Sequence, residues 1–488
     1  MQHSGGSHYM KILTRIRIFS IVFFLSVLGF SSPKIETFFS PYKAPREAMI
    51  EAISKAKHTI DIAIYSFSAS GLLTALKEVK ESRPKLKIRM IFDDADNPDD
   101  SKGTPKTESS EKFEKMGMDV RYVHKIMHHK FMIIDGYPKG VDPDSDFSKT
   151  VLVTGSGNFS DGAHFRYNEN FVILKNEPDL ITQFQKEFQR MWNYSFDFPD
   201  ESPQLIEEEY EDRLGFDDPD LDSIFTSDNF RKDLDFSNNG ERVATREIEE
   251  AVENAKKSIL VATGHFRLPL LANALIRAKE KARKAKRNLS IKVVVDGQDY
   301  VSKQGSEEDF QKYERCVQRA QDKDPSRLEA CDMMGGLKMS RVLSDHGIDV
   351  RYKYYSYKWL YEKSEQMHHK YMIVDGARVL SGSFNWSRNA EWNTLENIVI
   401  FQGPSMKSVV GDFESDFYGL WELDRKRYQR HLKDISKKNR VPLHFKPMAL
   451  TSSEIDRLFK ALKKEIPDFL KSGKPEDSYW LKKENRGK

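Results

Sequence analysis

His128-His129-Lys130-Phe131-Met132-Ile133-Ile134-Asp135-Gly136 and His368-His369-Lys370-Tyr371-Met372-Ile373-Val374-Asp375-Gly376 are two copies of one motif, 240 residues apart. In each copy His-x-Lys is followed by four apolar residues and then Asp-Gly. A second signature follows each copy, Gly155-Ser156-Gly157-Asn158 and Gly382-Ser383-Phe384-Asn385. A third closes each set, Asn168-Glu169-Asn170 and Leu395-Glu396-Asn397. From Asn158 to Glu169, and from Asn385 to Glu396, the step is eleven residues. Matched spacing across three signatures marks an internal repeat.

The repeat extends outward from the motifs. Ala56-Lys57-His58-Thr59-Ile60 matches Ala255-Lys256-Lys257-Ser258-Ile259, and both follow an amphipathic helical stretch. Apolar runs predict strands at 60–67, 86–92, 118–122 and 151–154 in the first half. They predict strands at 259–263, 291–295, 348–352 and 378–381 in the second. Each His-x-Lys motif opens a further strand. Strands alternating with helical stretches predict an α/β architecture in each half. Side chains alternate along a strand, so His128 and Lys130 share one face while His129 takes the other, and likewise His368 and Lys370 against His369. Asp135 and Asp375 lie an odd number of residues beyond their His and are expected to fix strand-end geometry.

These three signatures resemble those of the phospholipase D superfamily, whose members carry two H-x-K-x4-D motifs, one per half. The resemblance spans roughly residues 35–424, and the doubled His and the Glu-Asn ending of the third signature look like its compact nuclease and cardiolipin-hydrolase branch. It implies two lobes, each a mixed sheet flanked by helices, related by a pseudo-twofold axis with one active site at their interface. It implies His128 as nucleophile and His368 as general acid. Lys130, Lys370, Asn158 and Asn385 would bind the phosphate, with Ser156 and Ser383 adding hydroxyl donors. Glu169 and Glu396 match the family position whose carboxylate orients an imidazole, and Asp135 and Asp375 complete the motifs of the catalytic set.

The chemistry accounts for those residue types. A phosphodiester is an anion with a poor leaving group, so its cleavage needs a nucleophile, an acid and positive groups around phosphorus. Imidazole suits the first two tasks because it titrates near neutral pH. One histidine can take the phosphoryl group covalently while the other protonates the leaving oxygen and then activates water. Lysines and asparagines hold the developing charge, so neither a metal nor another cofactor is expected. One motif supplies one His and one Lys; the doubled motif supplies a whole site within a single chain, so no oligomer is required.

The formal charge of +3 arises in the first 31 residues, where Lys11, Arg15 and Arg17 stand without an acid. A neutral remainder argues against a protein that coats nucleic acid by bulk charge. Residues 1–31 read as an export signal, basic then apolar then small, or as an uncleaved anchor, which predicts a periplasmic or secreted protein. Lobe 1 is expected at 32–196, an acidic linker at 197–230, lobe 2 at 231–424 with an insertion at 301–345, and a basic tail at 425–488. The insertion reads as a lid or as an embellishment. Cys316 and Cys331 are the two cysteines, bonded or free.

Two substrates fit the motifs. Arg351-Tyr352-Lys353-Tyr354-Tyr355-Ser356-Tyr357-Lys358-Trp359 mixes aromatic and basic residues, which suits a membrane interface and, with export, favours phospholipid head groups. The same run could stack single-stranded bases, the nuclease alternative. Peripheral contact with an anionic membrane, transfer of a phosphatidyl group to an alcohol, and a non-catalytic binding module complete the set.

Overall fold

The structure is a computed structural model and describes residues 35–93, 108–136, 150–198, 219–355, 364–436 and 446–465. The chain divides into two units, residues 1–34 and 35–488, and every described residue belongs to the second. The expected export signal and most of the acidic linker lie outside the described residues.

The first half supplies β1 (Ile35–Ser40), β2 (Thr59–Ile64), β3 (Lys87–Phe92), β4 (Asp119–Tyr122), β5 (Ile126–Met127), β6 (Lys130–Ile134), β7 (Val151–Gly155), β8 (Glu169–Lys175) and β9 (Phe196–Asp197). The second supplies β10 (Leu221–Phe225), β11 (Ser258–Thr263), β12 (Ser290–Asp296), β13 (Asp349–Tyr354), β14 (Lys370–Val374), β15 (Arg378–Gly382), β16 (Thr394–Leu395), β17 (Asn397–Gln402) and β18 (Met448–Leu450). They build two eight-stranded sheets, ordered β1-β8-β7-β6-β2-β3-β4-β9 and β10-β17-β15-β14-β11-β12-β13-β18. The two orders match place by place, so the repeat seen in the motifs is a repeat of the whole sheet. In each sheet β2-β3-β4 or β11-β12-β13 run parallel and the other pairings are antiparallel.

The motif strands lie within these sheets and are buried on both faces. Their alternation sorts the core. Phe131 and Ile133 from β6, with Tyr371 and Ile373 from β14, enter one apolar cluster shared by both lobes. Met132 and Ile134 face the outer core of lobe 1, and Met372 and Val374 that of lobe 2. Helices Pro178–Asn193 and Lys407–Trp421 contribute Phe184, Phe188, Phe413 and Phe417 to the shared cluster. Burial of that much apolar surface fixes the two lobes against each other.

Two expected boundaries shift. β10 falls inside the expected linker yet pairs with β17, so lobe 2 begins by Leu221. β18 falls inside the expected basic tail yet closes the second sheet against β13, and Ile455 and Leu458 of the helix Ser452–Glu465 are buried behind it. The charge count of the tail hid these short apolar stretches. The same pairing corrects the reading of the aromatic run. Tyr352, Lys353, Tyr354 and Tyr355 are buried, so this part of the run is core and not a membrane-facing surface; residues 356–360 lie outside the described ones. The insertion holds the helix Lys303–Lys323, tied to the helix Leu328–Asp332 by a disulfide between Cys316 and Cys331.

Candidate active site

Each motif begins just after a short backbone pairing across the lobes. β5 runs parallel to β16, and the His128 amide donates to the Leu395 carbonyl at 2.9 Å. In the other lobe Asn168 bridges Met367, and the His368 amide donates to the Asn168 carbonyl at 2.9 Å. The third signature of each lobe thus meets the His-x-Lys motif of the other.

The side chains repeat this exchange. His128 Nδ1 lies 2.9 Å from Glu396 Oε2, and His368 Nδ1 lies 2.6 Å from Glu169 Oε1. Each imidazole is oriented by the opposite lobe's carboxylate, which leaves its Nε2 for chemistry. The neighbouring asparagines cross as well. The Asn397 amide is 3.0 Å from His129 Nδ1, and Asn170 Oδ1 is 3.3 Å from His369 Nδ1. His129 and His369 are fully buried on the shared-core side, as the alternation predicts, beside Glu187 and Asp416 respectively. The sequence reading included the glutamates but not Asn170 and Asn397; the Asn that closes each third signature was their signal.

Lys130 and Lys370 each donate to the carbonyl of their own motif's His at 2.7 Å, and Lys370 Nζ also sits 3.2 Å from His368 Nε2. Both ammonium groups are buried, which pushes Lys130 down to about 7 and Lys370 down to about 8. Asn158 and Asn385 each keep a buried side-chain oxygen with no hydrogen-bond partner among the described residues. The Ser160 and Ser387 caps of the next short helices hold the backbone after them.

Two expectations are corrected. Ser156 and Ser383 are fully buried and do not line the phosphate site. Ser156 Oγ donates to Glu169 Oε2 at 2.6 Å and Ser383 bonds Glu396, so they hold the glutamates in place. The glycines before them permit this: a Cβ would fall 2.1 Å from the Asn170 carbonyl oxygen at Gly155 and 2.2 Å from that of Asn397 at Gly382. Asp135 and Asp375 lie outside the catalytic set. Asp135 accepts from the amides of Lys57, His58 and Thr59, and Asp375 from those of Lys256, Lys257 and Ser258. Each fastens the start of the strand beside its motif, from a left-handed backbone at φ 48° and φ 56°.

The two halves of the site are electrostatically unlike. Burial, then Lys130 and Lys370, hold His128 well below the usual imidazole range, while burial pushes Glu396 up to about 7. Burial also lowers His368, but Glu169 opposes the shift. Burial would raise Glu169; His368, Lys370 and Ser156 outweigh it and keep that carboxyl below its usual range. Of the two imidazoles, His368 beside Glu169 therefore holds a proton more readily than His128. In the roles that the resemblance implies, the lysines and His368 work protonated, and all three are lowered. As pH rises they lose their protons while His128 stays neutral throughout. We expect kcat/KM to fall by about tenfold or more between pH 7 and pH 9 in a steady-state pH series, whereas toward pH 6 protonation of Glu396, raised to about 7, offsets the gain in protonated His368.

A family profile described as "Cardiolipin synthase, PLD-like domain" matches residues 49–192 and 248–421, about two thirds of the chain and both motifs. The chain belongs to the phospholipase D superfamily. Among curated relatives, "Mitochondrial cardiolipin hydrolase" of Danio rerio is 37% identical over 81 residues, 17% of this chain and 31% of that one. "Phospholipase D" of Rickettsia prowazekii is 23% identical over 193 residues, 38% of this chain and 83% of that one. The match thus spans about a third of the first relative's length. Among solved structures, phosphatidylserine synthase of Haemophilus influenzae aligns with a TM-score of 0.48 at 12% identity, covering 80% of this chain and 86% of that one.

Proposed function

We propose that this protein hydrolyses phospholipid phosphodiesters through a phosphohistidine intermediate. The observation that carries the reading is the pair of imidazoles, each oriented through Nδ1 by a carboxylate of the opposite lobe. Neutral His128 attacks phosphorus through Nε2. The P–O bond to the leaving alcohol breaks, and that oxygen takes the proton of His368. Lys130, Lys370, Asn158 and Asn385 hold the phosphoryl oxygens. A water then gives a proton to His368 and attacks phosphorus, and His128 departs as neutral imidazole. The phospholipid class is supported by the names of the relatives above, and not by the buried aromatic run.

The test sets purified protein against phosphatidylcholine, cardiolipin, single-stranded DNA and RNA, each with and without excess chelator. Phospholipid turnover that survives the chelator is expected. Turnover of nucleic acid with both lipids untouched would replace the lipid reading by a nuclease one. Activity lost with EDTA and restored by a divalent cation would remove the mechanism.

A further inference from the structure

The pseudo-twofold fails at a buried point in the seam beside His368. Much of the two seams is alike. Asp93 and Asp296 stand at the ends of β3 and β12. The Met127 amide donates to Asp93 Oδ2 at 2.6 Å, and the Met367 amide to Asp296 Oδ2 at 2.7 Å. Each carboxylate thus holds the residue before a motif histidine. Across the seam, the Leu395 carbonyl accepts from the His128 amide as the Asn168 carbonyl does from that of His368. Asp119-Val120-Arg121-Tyr122 and Asp349-Val350-Arg351-Tyr352 enter β4 and β13 in the same register on β3 and β12. Val123 and Lys353, the next residues, are therefore equivalent.

The side chains at these equivalent positions differ in kind. At the His128 seam, Val123 and Leu395 are buried in the shared apolar cluster. At the His368 seam the same positions hold Lys353 and Asn168, both buried. The Lys353 ammonium donates to Asn168 Oδ1 and to the Glu365 carbonyl. Asn168 belongs to lobe 1 and Glu365 to lobe 2, so one cation ties both sides of the seam. The Asn168 backbone amide donates to the Gln366 carbonyl at 2.8 Å, and its side-chain amide to the Ser40 carbonyl at 3.3 Å. The Tyr355 hydroxyl donates to Asp296 Oδ2 at 2.8 Å. Burial lowers Lys353 to about 8, and Asp296, Glu365 and Asp416 oppose the shift.

Glu169 follows Asn168 directly in the chain, and its carboxylate orients His368. A shift of Asn168 therefore moves both the backbone support and the carboxylate of one imidazole. Apolar contact is non-directional, whereas a buried ammonium between two oxygens fixes where both must lie. We propose that Lys353 and Asn168 form a polar latch that positions His368, and not His128, for proton transfer. Both are positioning residues, which act through His368. The latch deepens the phospholipid reading and rests on its assignment of His368 as the acid. The doubled fold thus relies on packing where the nucleophile sits, and on charge-assisted bonds where a proton must be delivered along a defined line.

The test measures kcat and KM for two phosphatidyl esters in matched mixed micelles. Phosphatidylcholine has an alkyl leaving group that needs a proton; phosphatidyl-p-nitrophenol has one that needs little help. Lys353→Val with Asn168→Leu rebuilds the pair of the His128 seam and keeps this one packed. It should lower kcat for phosphatidylcholine about tenfold or more with KM within about twofold, since a misplaced acid costs rate and not binding. Turnover of phosphatidyl-p-nitrophenol should fall by less than about threefold, which also reports an intact fold. Lys353→Val and Asn168→Leu alone should each show at least the loss of the pair, because each breaks the same bond. Asn168→Asp keeps an acceptor for the ammonium and should hold kcat for phosphatidylcholine within about threefold of the wild type. An unchanged ratio of the two substrates in the double variant would overturn the latch and leave the phospholipid reading standing. Equal losses on both substrates would do the same, by making the pair merely structural. Turnover of neither ester by the wild type would overturn the phospholipid reading, and the latch with it.

Discussion

His128→Ala is expected to form no covalent adduct and to turn over no substrate, whereas His368→Ala is expected to form the adduct from an activated substrate and to retain it. The geometry makes these two losses different in kind. In the proposed mechanism removing His128 deletes the nucleophile and removing His368 the acid, and for His128 the expected fall in turnover is at least about 10⁴-fold on every substrate. Removing His368 deletes the acid for the leaving oxygen and then the base for water. With an alkyl leaving group the fall should be about 10²- to 10⁴-fold. With a p-nitrophenyl phosphodiester the first step needs no proton, so phosphohistidine accumulates. His129→Ala and His369→Ala should not imitate either loss, because both rings lie buried on the shared-core face. Their cost should appear in stability, through Glu187, Asn397, Asn170 and Asp416. Intact mass after rapid quench reads the adduct directly. An adduct in His128→Ala and none in His368→Ala would exchange the two roles. No adduct in any form would leave attack by water as the mechanism.

The parts of this site that were legible in the sequence are the parts governed by local rules. A strand has period two, so His128 and Lys130 had to share a face and His129 had to leave it. The odd offset of Asp135 and Asp375 pointed to strand ends, and that is where both carboxylates bind backbone. What was not legible depends on which distant segment arrives. Equal eleven-residue spacing tied each glutamate to its own half, yet each one serves the histidine of the other. Ser156 and Ser383 carry the hydroxyls that a phosphate site would use, but the glycine before each lets the opposing carbonyl close in and buries them. Tyr352, Tyr354 and Tyr355 alternate with charge like a surface strand; the arrival of β18 from the tail covers them. Neither the acidic nor the basic composition around β10 and β18 signalled that the two strands close the edges of one sheet.

Exchange of the glutamates also explains how a doubled motif becomes a single site. Neither lobe can orient its own imidazole, because the carboxylate for each comes with the other lobe's third signature. The shared apolar cluster holds the lobes together, and the paired β5 and β16 set the register in which those signatures meet. A change in the lobe contact therefore reaches both histidines at once, and activity should be lost before either sheet unfolds.

Glu169→Gln should damage the reaction more than Glu396→Gln, and in a different way. Glu169, held below its usual range, stands beside His368, the proposed acid, whereas burial pushes Glu396 up to about 7 beside His128. Both are positioning residues, and glutamine keeps their shape. Loss of the anion in Glu169→Gln removes the group that opposes deprotonation of His368, so its pKa falls further. The sign is fixed: His368 works protonated, hence the high-pH limb of kcat/KM moves to lower pH. Turnover of a substrate with an alkyl leaving group should drop about 10²-fold, and that of a p-nitrophenyl diester far less. Glu396→Gln replaces a group that is partly protonated near neutrality. It should cost about tenfold on both substrates alike and leave the high-pH limb in place, since it orients the nucleophile rather than charging the acid. Matched pH series on the two substrates separate these cases. A limb moved by Glu396→Gln and not by Glu169→Gln would make His128 the acid. Equal losses with no movement of either limb would reduce both carboxylates to scaffolding.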